Sequence, residues 1–467
     1  MSDLAPMISI VIPTHNRCGS LQRTLDALQA QRYPAERMEI IVVADGCRDD
    51  TLPMLRSYHA ACPLQIVESG GNSAASARNR GAASACGPIV LFLDDDVEPR
   101  PTLVAAHAQA HGARPGQVVL GPSLPLPIGR RGYFHQRTRF WWDEKFRELG
   151  APGHRFTYQD LLSGNLSLDR ATFTRFGGFD TALGTAREDY EFGLRLIKAG
   201  IPFHYVPEAL ADHHEHETGN LDSSLRRVRH EGRSDVLIGQ RHPEVVCTLA
   251  LSFWRPGARR RQRLLQWLVF HAPDLGDRLA AGLGRQLPLL ERAGLREQWG
   301  RLHNQLRLYW YWRGVAEEAG TPARLIALLR EGAARAPRGP ITCAINLAAG
   351  VEVAEHRLDT ERPAAAHLWY ISGTLRRHIG VLPEQPGAEP WRGAHLRPYL
   401  ARHLAPPFLK ALAEAGAIHP APPEWQQRLT GAIERMERWY GPARAHELWW
   451  EQYSQWARLD AEQIAEV

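Results

Sequence analysis

Five apolar residues, Ile89–Leu93, run without a break into Asp94, Asp95 and Asp96. No other stretch restricts the fold of this chain as strongly. An apolar run that lacks alternation is that of a strand buried on both faces. Three adjacent carboxylates cannot share such a core, because desolvation and mutual repulsion disfavour their charge unless a cation sits among them. They belong instead at the carboxyl end of the strand, where ligands bind in open α/β sheets. Hard oxygen donors there suit Mg2+ or Mn2+, with coordination positions left for phosphate oxygens. Taken alone, the same triplet is also that of a solvated acidic turn.

The preceding chain supplies the rest of a sheet. Ile8-Ser9-Ile10-Val11-Ile12 reads as a strand ending at the polar turn Pro13-Thr14-His15-Asn16-Arg17. Leu21, Leu25 and Leu28 recur at helical spacing, which predicts a helix over 20–31. A second strand, 39–43, ends at Ala44-Asp45-Gly46. A helix over 51–61, a short strand at Ile66-Val67 and an Ala- and Arg-rich helix over 74–84 follow. This β-α-β-α-β-α-β order argues a parallel, right-handed, doubly wound sheet. Its strand ends gather Thr14, Asn16, Asp45 and Asp94 to Asp96 along one edge. No Gly-x-Gly-x-x-Gly follows the first strand and no Gly-Lys-Ser/Thr is present, which disfavours dinucleotide and P-loop chemistry.

At 467 residues the chain exceeds one ordinary core, so two or three domains are expected. Its 44% apolar and 23% charged content is that of a soluble globular protein, and a formal charge of +5 gives no reason to expect a nucleic-acid partner. The six cysteines are scattered without a Cys-x-x-Cys pair, which fits a reducing compartment and neither disulfides nor zinc. With no basic-then-apolar leader before Ile8 and no membrane-length apolar run, a cytoplasmic location is expected.

Four pieces, Ile8 to Asn16, Val42-Val43-Ala44-Asp45-Gly46-Cys47, Ala77-Arg78-Asn79-Arg80-Gly81 and Leu93-Asp94-Asp95-Asp96, resemble the family 2 glycosyltransferases in order and spacing. The resemblance implies an α/β fold of the GT-A type, a nucleoside-diphosphate sugar donor, UDP-linked by preference, and a bound Mn2+ or Mg2+. In its terms Asp45 faces the base, and Thr14, Asn16 and Arg78 line the nucleoside and phosphates. Pro13, Arg17 and Asp95 are further donor-site candidates. Asp94 faces the ribose, and Asp96, with Asp94 beside it as a second metal candidate, binds the metal. Relatives often carry Ser at Cys47 and Asp at Ala44.

Further on, Ser163-Gly164-Asn165-Leu166-Ser167-Leu168 reads as a strand, Gly177-Gly178-Phe179-Asp180 as a tight turn, and Glu188-Asp189 as the first turn of a helix. Carboxylates there also serve as dipole partners or caps. In the resemblance this helix supplies the general base: Asp189 first, Glu188 second, with Asn165 and Asp180 toward the donor sugar. A helix N-terminus is expected to lower the carboxylate pKa. In Asp212-His213-His214-Glu215-His216-Glu217, His213 and His214 are candidate metal ligands, and a surface loop is the other reading. Residues 218–224 have the composition of a lid. Arg226, Arg227, Arg229 and Arg233 could reach a diphosphate or an anionic acceptor. The aromatic and Arg-rich stretch from Tyr133 to Phe156, with Arg130 and Arg131 before it, reads either as an acceptor-side wall or as a hydrophobic clasp.

The catalytic domain is expected to span 1–254, with a break at Arg255-Pro256-Gly257 and a mainly α-helical domain of unknown role over 255–467. Helices are expected over 323–334, 363–379, 405–415 and 426–440. Arg259 to Arg263 before an apolar helix reads first as the solvated start of a packed helix and second as a peripheral membrane contact. Tyr309 to Trp312, Trp449, Trp450 and Trp456 read as core or interface anchors, the latter allowing a homodimer through the C-terminal helices. The acceptor is left open among saccharide, lipid, peptide and small metabolite. The Gln-x-x-Arg-Trp motif of processive synthases is absent between residues 214 and 270, which favours single-sugar transfer. A sugar nucleotidyltransferase would need a Gly-rich loop where Pro13 to Gly19 has one glycine. A non-catalytic scaffold would not need Asp45, Asp96 and Asp189.

Overall fold

The computed structural model describes residues 5–415 and 417, apart from 72, 127–131, 185, 215–218, 255–259 and 338–340. Arg130, Arg131, Glu215, His216, Glu217, the start of the expected lid, the Arg255-Pro256-Gly257 break, Arg259, the expected helix 426–440 and Trp449, Trp450 and Trp456 lie outside these residues.

In chain order the first unit contains β1 (Ile8–Thr14), α1 (Cys18–Gln29), β2 (Met38–Asp45), α2 (Thr51–Ser57), β3 (Leu64–Ser69), α3 (Ala74–Ser84), β4 (Ile89–Leu93), β5 (Val97–Pro99) and α4 (Leu103–Ala113). It continues with β6 (Val118–Leu120), β7 (Ser123–Pro125), α5 (Tyr133–Leu149), β8 (Asn165–Asp169), α6 (Arg170–Arg175), α7 (Glu188–Lys198), β9 (Phe203–Tyr205) and β10 (Ala211–His213). The helices α8 (Leu221–Arg241), α9 (Arg260–Phe270), α10 (Pro273–Gly284), α11 (Leu287–Arg292), α12 (Arg296–Ala319) and α13 (Pro322–Arg335) complete it.

The central sheet runs β3-β2-β1-β4-β8-β6-β9. It is parallel except at β8, which runs antiparallel to both β4 and β6. Leu93 pairs with Asn165, so β8 starts where β4 ends, beside the aspartates. Alternate strand residues face opposite ways. Val11, Ile41, Val43, Val90 and Phe92 pack with α3 on one face. Ile10, Ile12, Ile40, Val42 and Leu91 pack with α1 and α4 on the other. Both faces are therefore dry, which is why these strands read as unbroken apolar runs. A small second sheet, β5-β10-β7, pairs His213 with Val97 and so sets β10 beside the end of the aspartate cluster.

The described residues form two compact units, one up to Gly150 and over Phe156–Ala336, the other over Ala151–Arg155 and from Pro337 on. The division falls near residue 336 rather than at 254. The physical reason lies where α8 meets α12. A Cβ on Gly232 would stand 2.1 Å from the Tyr311 carbonyl oxygen, and one on Gly314 would stand 1.8 Å from that of Arg229. Two glycines thus let the two backbones touch, and Tyr309, Tyr311 and Trp312 are buried as core anchors.

The second unit contains β11 (Ala344–Asn346), α14 (Val351–Glu361), β12 (Ala366–Ser372), β13 (Leu375–Leu382), α15 (Gly393–Tyr399) and α16 (Ala405–Glu414) around its own core. Residues 363–379, expected to be helical, form most of the β12–β13 hairpin instead. Ala366, Leu368 and Tyr370 are buried in alternation, the period of a strand, and Gly373 turns the chain at φ +57°.

Candidate functional site

The three aspartates part company as the chain leaves β4. Asp95 turns inward: it accepts Thr14 Oγ1 at 2.7 Å and Arg17 Nη1 at 2.8 Å, while its carbonyl accepts Thr24 Oγ1 at 3.2 Å. Burial pushes its pKa up, against the pull of Arg17. Asp95 therefore pins the β1 turn to the β4 end. Its one neighbour, Asp94, points the other way. Nη2 of Arg78 donates to Asp94 at 2.7 Å, and Nη1 of the same side chain donates to Glu188 at 3.0 Å. Arg78 is buried in the middle of α3. It reaches both partners because α3 lies close on the sheet: a Cβ on Gly81 would stand 2.3 Å from Val11 Cγ1.

One guanidinium thus joins the strand end to the first turn of α7, where Asp189 is also buried. Asp189 accepts from the Tyr190 N–H at 2.9 Å. Its pKa is raised well above the ordinary carboxylate range, first by burial and then by the neighbouring Glu188, against the opposing charges of Arg227 and Arg78. The expectation of a lowered pKa is corrected, since desolvation outweighs the helix N-terminus. A carboxylate so placed is a stronger proton acceptor than an ordinary one.

Asp96 is buried beside β10. His213 Nε2 lies 3.5 Å from Asp96 Oδ1, and Arg17 Nη1 lies 3.2 Å from Asp96 Oδ2. The edge of the Trp142 ring meets His213 at 5.5 Å between centroids, and Trp142 stacks on Phe146. So α5 borders the site on its Trp142 side while Phe140 and Trp141 stay exposed. His214 goes elsewhere, with Nε2 2.8 Å from Glu98. Among the described residues no group of three or more His, Cys, Asp or Glu side chains is arranged to hold an ion. The pair Asp96 and His213 does fit a Mg2+ or Mn2+ ion, because such ions are commonly held by one or two protein ligands and completed by substrate phosphates and water.

Asp45 ends β2. Its Oδ1 accepts the Ser69 hydroxyl and, at 2.9 Å, the Gly71 N–H. Across the β1 turn, His15 Nδ1 lies 2.5 Å from the Asp45 carbonyl oxygen. Asn16 adopts φ +54° and accepts the Arg48 N–H at 2.7 Å. Pro13 lies within β1, paired with Val43. Thr14, Asp45, Asp94 and Asp96 lie at the carboxyl ends of β1, β2 and β4, where Arg78 joins Asp94 to Glu188 and Arg17 and His213 both approach Asp96.

Asn165 and Asp180 are engaged by the protein itself. The Asn165 amide donates to the carbonyls of Ala209 at 2.8 Å and Pro122 at 3.3 Å, and its oxygen lies 2.9 Å from His107 Nε2. Asp180 caps Ala182 and pairs with Arg241. Arg229 and Arg233 pair with Glu317 and Glu318 on α12, so these two of the four expected anion-binding arginines serve helix packing, whereas Arg227 stays exposed, 3.8 Å from Glu231 on its own helix, with Asp189 and Glu188 among the charges it faces.

Two features escaped sequence reading. His107 and His111 both meet Ser167 Oγ, at 2.7 and 2.8 Å, inside the sheet, and burial pushes His107 down to about 4. Arg187, just before α7, adopts φ +69°. It lies 3.5 Å from both Glu231 and Asp235 on α8 and over the Tyr190 ring. Tyr311 on α12 donates to Asp235 at 2.7 Å. A non-glycine residue in this region is strained by about 1 kcal/mol or more and persists where its surroundings over-determine it. The local signal was a bulky Arg where a helix cap is ordinarily small.

Residues 9–173 match the model of the glycosyl transferase family 2. The chain is 36% identical over 242 residues to the validoxylamine A glucosyltransferase of Streptomyces hygroscopicus subsp. jinggangensis, covering 45% of this chain and 56% of that one. It is 26% identical over 292 residues to the pre-mycofactocin glycosyltransferase of Mycobacterium tuberculosis, covering 61% and 55%. The chain thus spans a little over half the length of these relatives. Among solved structures it is similar, at 19% identity and a TM-score of 0.40, to the mannosyltransferase PcManGT of Pyrobaculum calidifontis in complex with GDP-Man and Mn2+, covering 71% of this chain and 88% of that one.

Proposed function

We propose, from a chain whose N-terminal half is that of a family 2 glycosyltransferase, that it transfers one sugar from a nucleoside-diphosphate sugar to an acceptor hydroxyl with inversion at the anomeric carbon. The observation that carries this reading is the Arg78 bridge. By touching both Asp94 and Glu188 it places the candidate base, Asp189, in the same cluster as the carboxylates at the β4 end. The UDP form of the donor follows the family resemblance, with Asp45 taking the base.

In this reading Asp189 accepts the proton of the acceptor hydroxyl as its oxygen forms the new bond to the anomeric carbon. The bond from that carbon to the diphosphate breaks on the opposite face, which inverts the configuration. Glu188, held by Arg78, lies beside Asp189 and helps raise its pKa, which strengthens Asp189 as a base. Arg17 and Arg78 bring positive charge to the donor side. A Mg2+ or Mn2+ ion held by Asp96 and His213 would neutralise charge developing on the diphosphate. All six cysteines are free, which supports a reducing compartment.

The test is thermal stabilisation by UDP- and GDP-sugars, with and without Mn2+, followed by NMR of the product's anomeric configuration. Stabilisation by no sugar nucleotide, or a retained configuration, defeats the reading.

A further inference from the structure

Large apolar side chains are exposed unevenly on this molecule. Of the twelve that stand out among the described residues, eight fall between residues 253 and 295. Six of these eight lie on the outer side of α9, α10 and α11, the short helices that cover α12. Leu264 and Trp267 project from α9, Leu289 from α11, and Leu275, Leu279 and Leu283 form a stripe along α10. The adjoining line of α10 meets the protein through Gly276 and Ala280. A stripe at four-residue intervals is one face of a helix. Here it is the face turned to solvent, whereas a packed helix buries it.

The charges on the same helices are segregated. Arg260, Arg263, Arg278, Arg285 and Arg292 are exposed. Of the three acids on α9–α11, two turn inward: Asp277 accepts Tyr309 Oη at 2.6 Å and lies 3.3 Å from Arg313, and Glu291 accepts the Tyr133 N–H at 2.5 Å. Asp274 alone stays exposed. The outer surface is therefore leucine and tryptophan interleaved with arginine. That is the composition of an interfacial helix, whose apolar side chains enter the acyl boundary while its cations meet anionic headgroups. No described helix is long and apolar enough to cross a membrane, so contact would lie in the plane of the surface. A second copy of the chain is a poorer occupant, since a two-fold contact through this face would set arginines against arginines.

We infer that α9, α10 and α11 form a docking surface for an anionic lipid bilayer. The inference is independent of the transfer reaction. Flotation of the full chain with vesicles of phosphatidylglycerol and phosphatidylcholine, against vesicles of phosphatidylcholine alone, tests it. The chain is expected to float with the anionic vesicles at low salt and to be released by salt. Leu279→Glu with Leu283→Glu should weaken partitioning at least about tenfold. Arg278→Gln with Arg285→Gln, which leaves the apolar stripe intact, should weaken it by a similar factor. Unchanged thermal melting of the arginine variant assigns its loss to the surface and not to unfolding. Absence of flotation, equal flotation on neutral vesicles, or insensitivity to both variants overturns the inference. So does a concentration-dependent dimer in light scattering that Leu279→Glu dissociates.

Discussion

Nη1 of Arg78 donates to Oε1 of Glu188 across 3.0 Å, tying the middle of α3 to the first turn of α7. The contact links residues 110 positions apart, and the other arm of the same guanidinium holds Asp94 at 2.7 Å. Removing it leaves a buried carboxylate without its partner, which is more destabilising than replacing the whole pair. Arg78→Ala is therefore expected to lower stability by about 3 kcal/mol. Arg78→Ala with Glu188→Gln should recover part of that loss. Denaturant unfolding of the two single variants and the double variant measures the coupling, and strict additivity would contradict the bridge.

Asp189 joins stability to catalysis with opposite signs. Burial and Glu188 raise its folded-state pKa above the ordinary value. Such a group contributes stability below its unfolded pKa and loses that contribution as pH rises through the folded one. At neutral pH the ionised carboxylate is a liability to the fold. Asp189→Asn should thus raise stability by about 1 kcal/mol while reducing transfer about a thousandfold. In the unsubstituted protein the rate should fall on the acid side with a midpoint above the ordinary carboxylate range. A midpoint near that of a free aspartate would remove Asp189 from the role of base.

The two histidines after β10 make separable predictions. His213 lies beside Asp96, while His214 lies against Glu98. Titration calorimetry with UDP and Mn2+ should show weaker binding for Asp96→Asn and His213→Ala, by about tenfold or more, and near-normal binding for His214→Ala. Chelation by EDTA should stop transfer. Activity that survives EDTA unchanged excludes a required divalent ion.

Tyr311→Phe tests the support behind α7. It deprives buried Asp235 of a hydrogen bond, which is expected to destabilise by about 1–2 kcal/mol. Because Asp235 lies against Arg187, the change should also lower turnover more than donor affinity. A variant with lowered stability but unaltered kinetics would limit Tyr311 to packing.

The first hundred residues were largely legible because β1, β2 and β4 are buried on both faces and their helices are local. Helix α3 falls on Ala74–Ser84, where its composition placed it. What stayed hidden depends on partners far along the chain. The amide of Asn165 meets Ala209, Pro122 and His107, partners that no local pattern around it reports. Asp95 cannot be told from Asp94 and Asp96 until strand geometry turns it inward. The raised pKa of Asp189 follows from burial, which no local pattern reports. In 363–379 apolar residues satisfied a helical spacing and a strand alternation together, and cross-strand pairing decided between them.

The reciprocal glycines of α8 and α12 bear on how this protein can be divided. A fragment ended near residue 254 would strip α12 from α8 and leave bare main chain at Gly232 facing water. Such a piece is expected to aggregate or to lose the alignment of Arg187, whatever its catalytic residues. Helices α12 and α13 thus belong to the first unit, and minimal expression boundaries belong past Arg335.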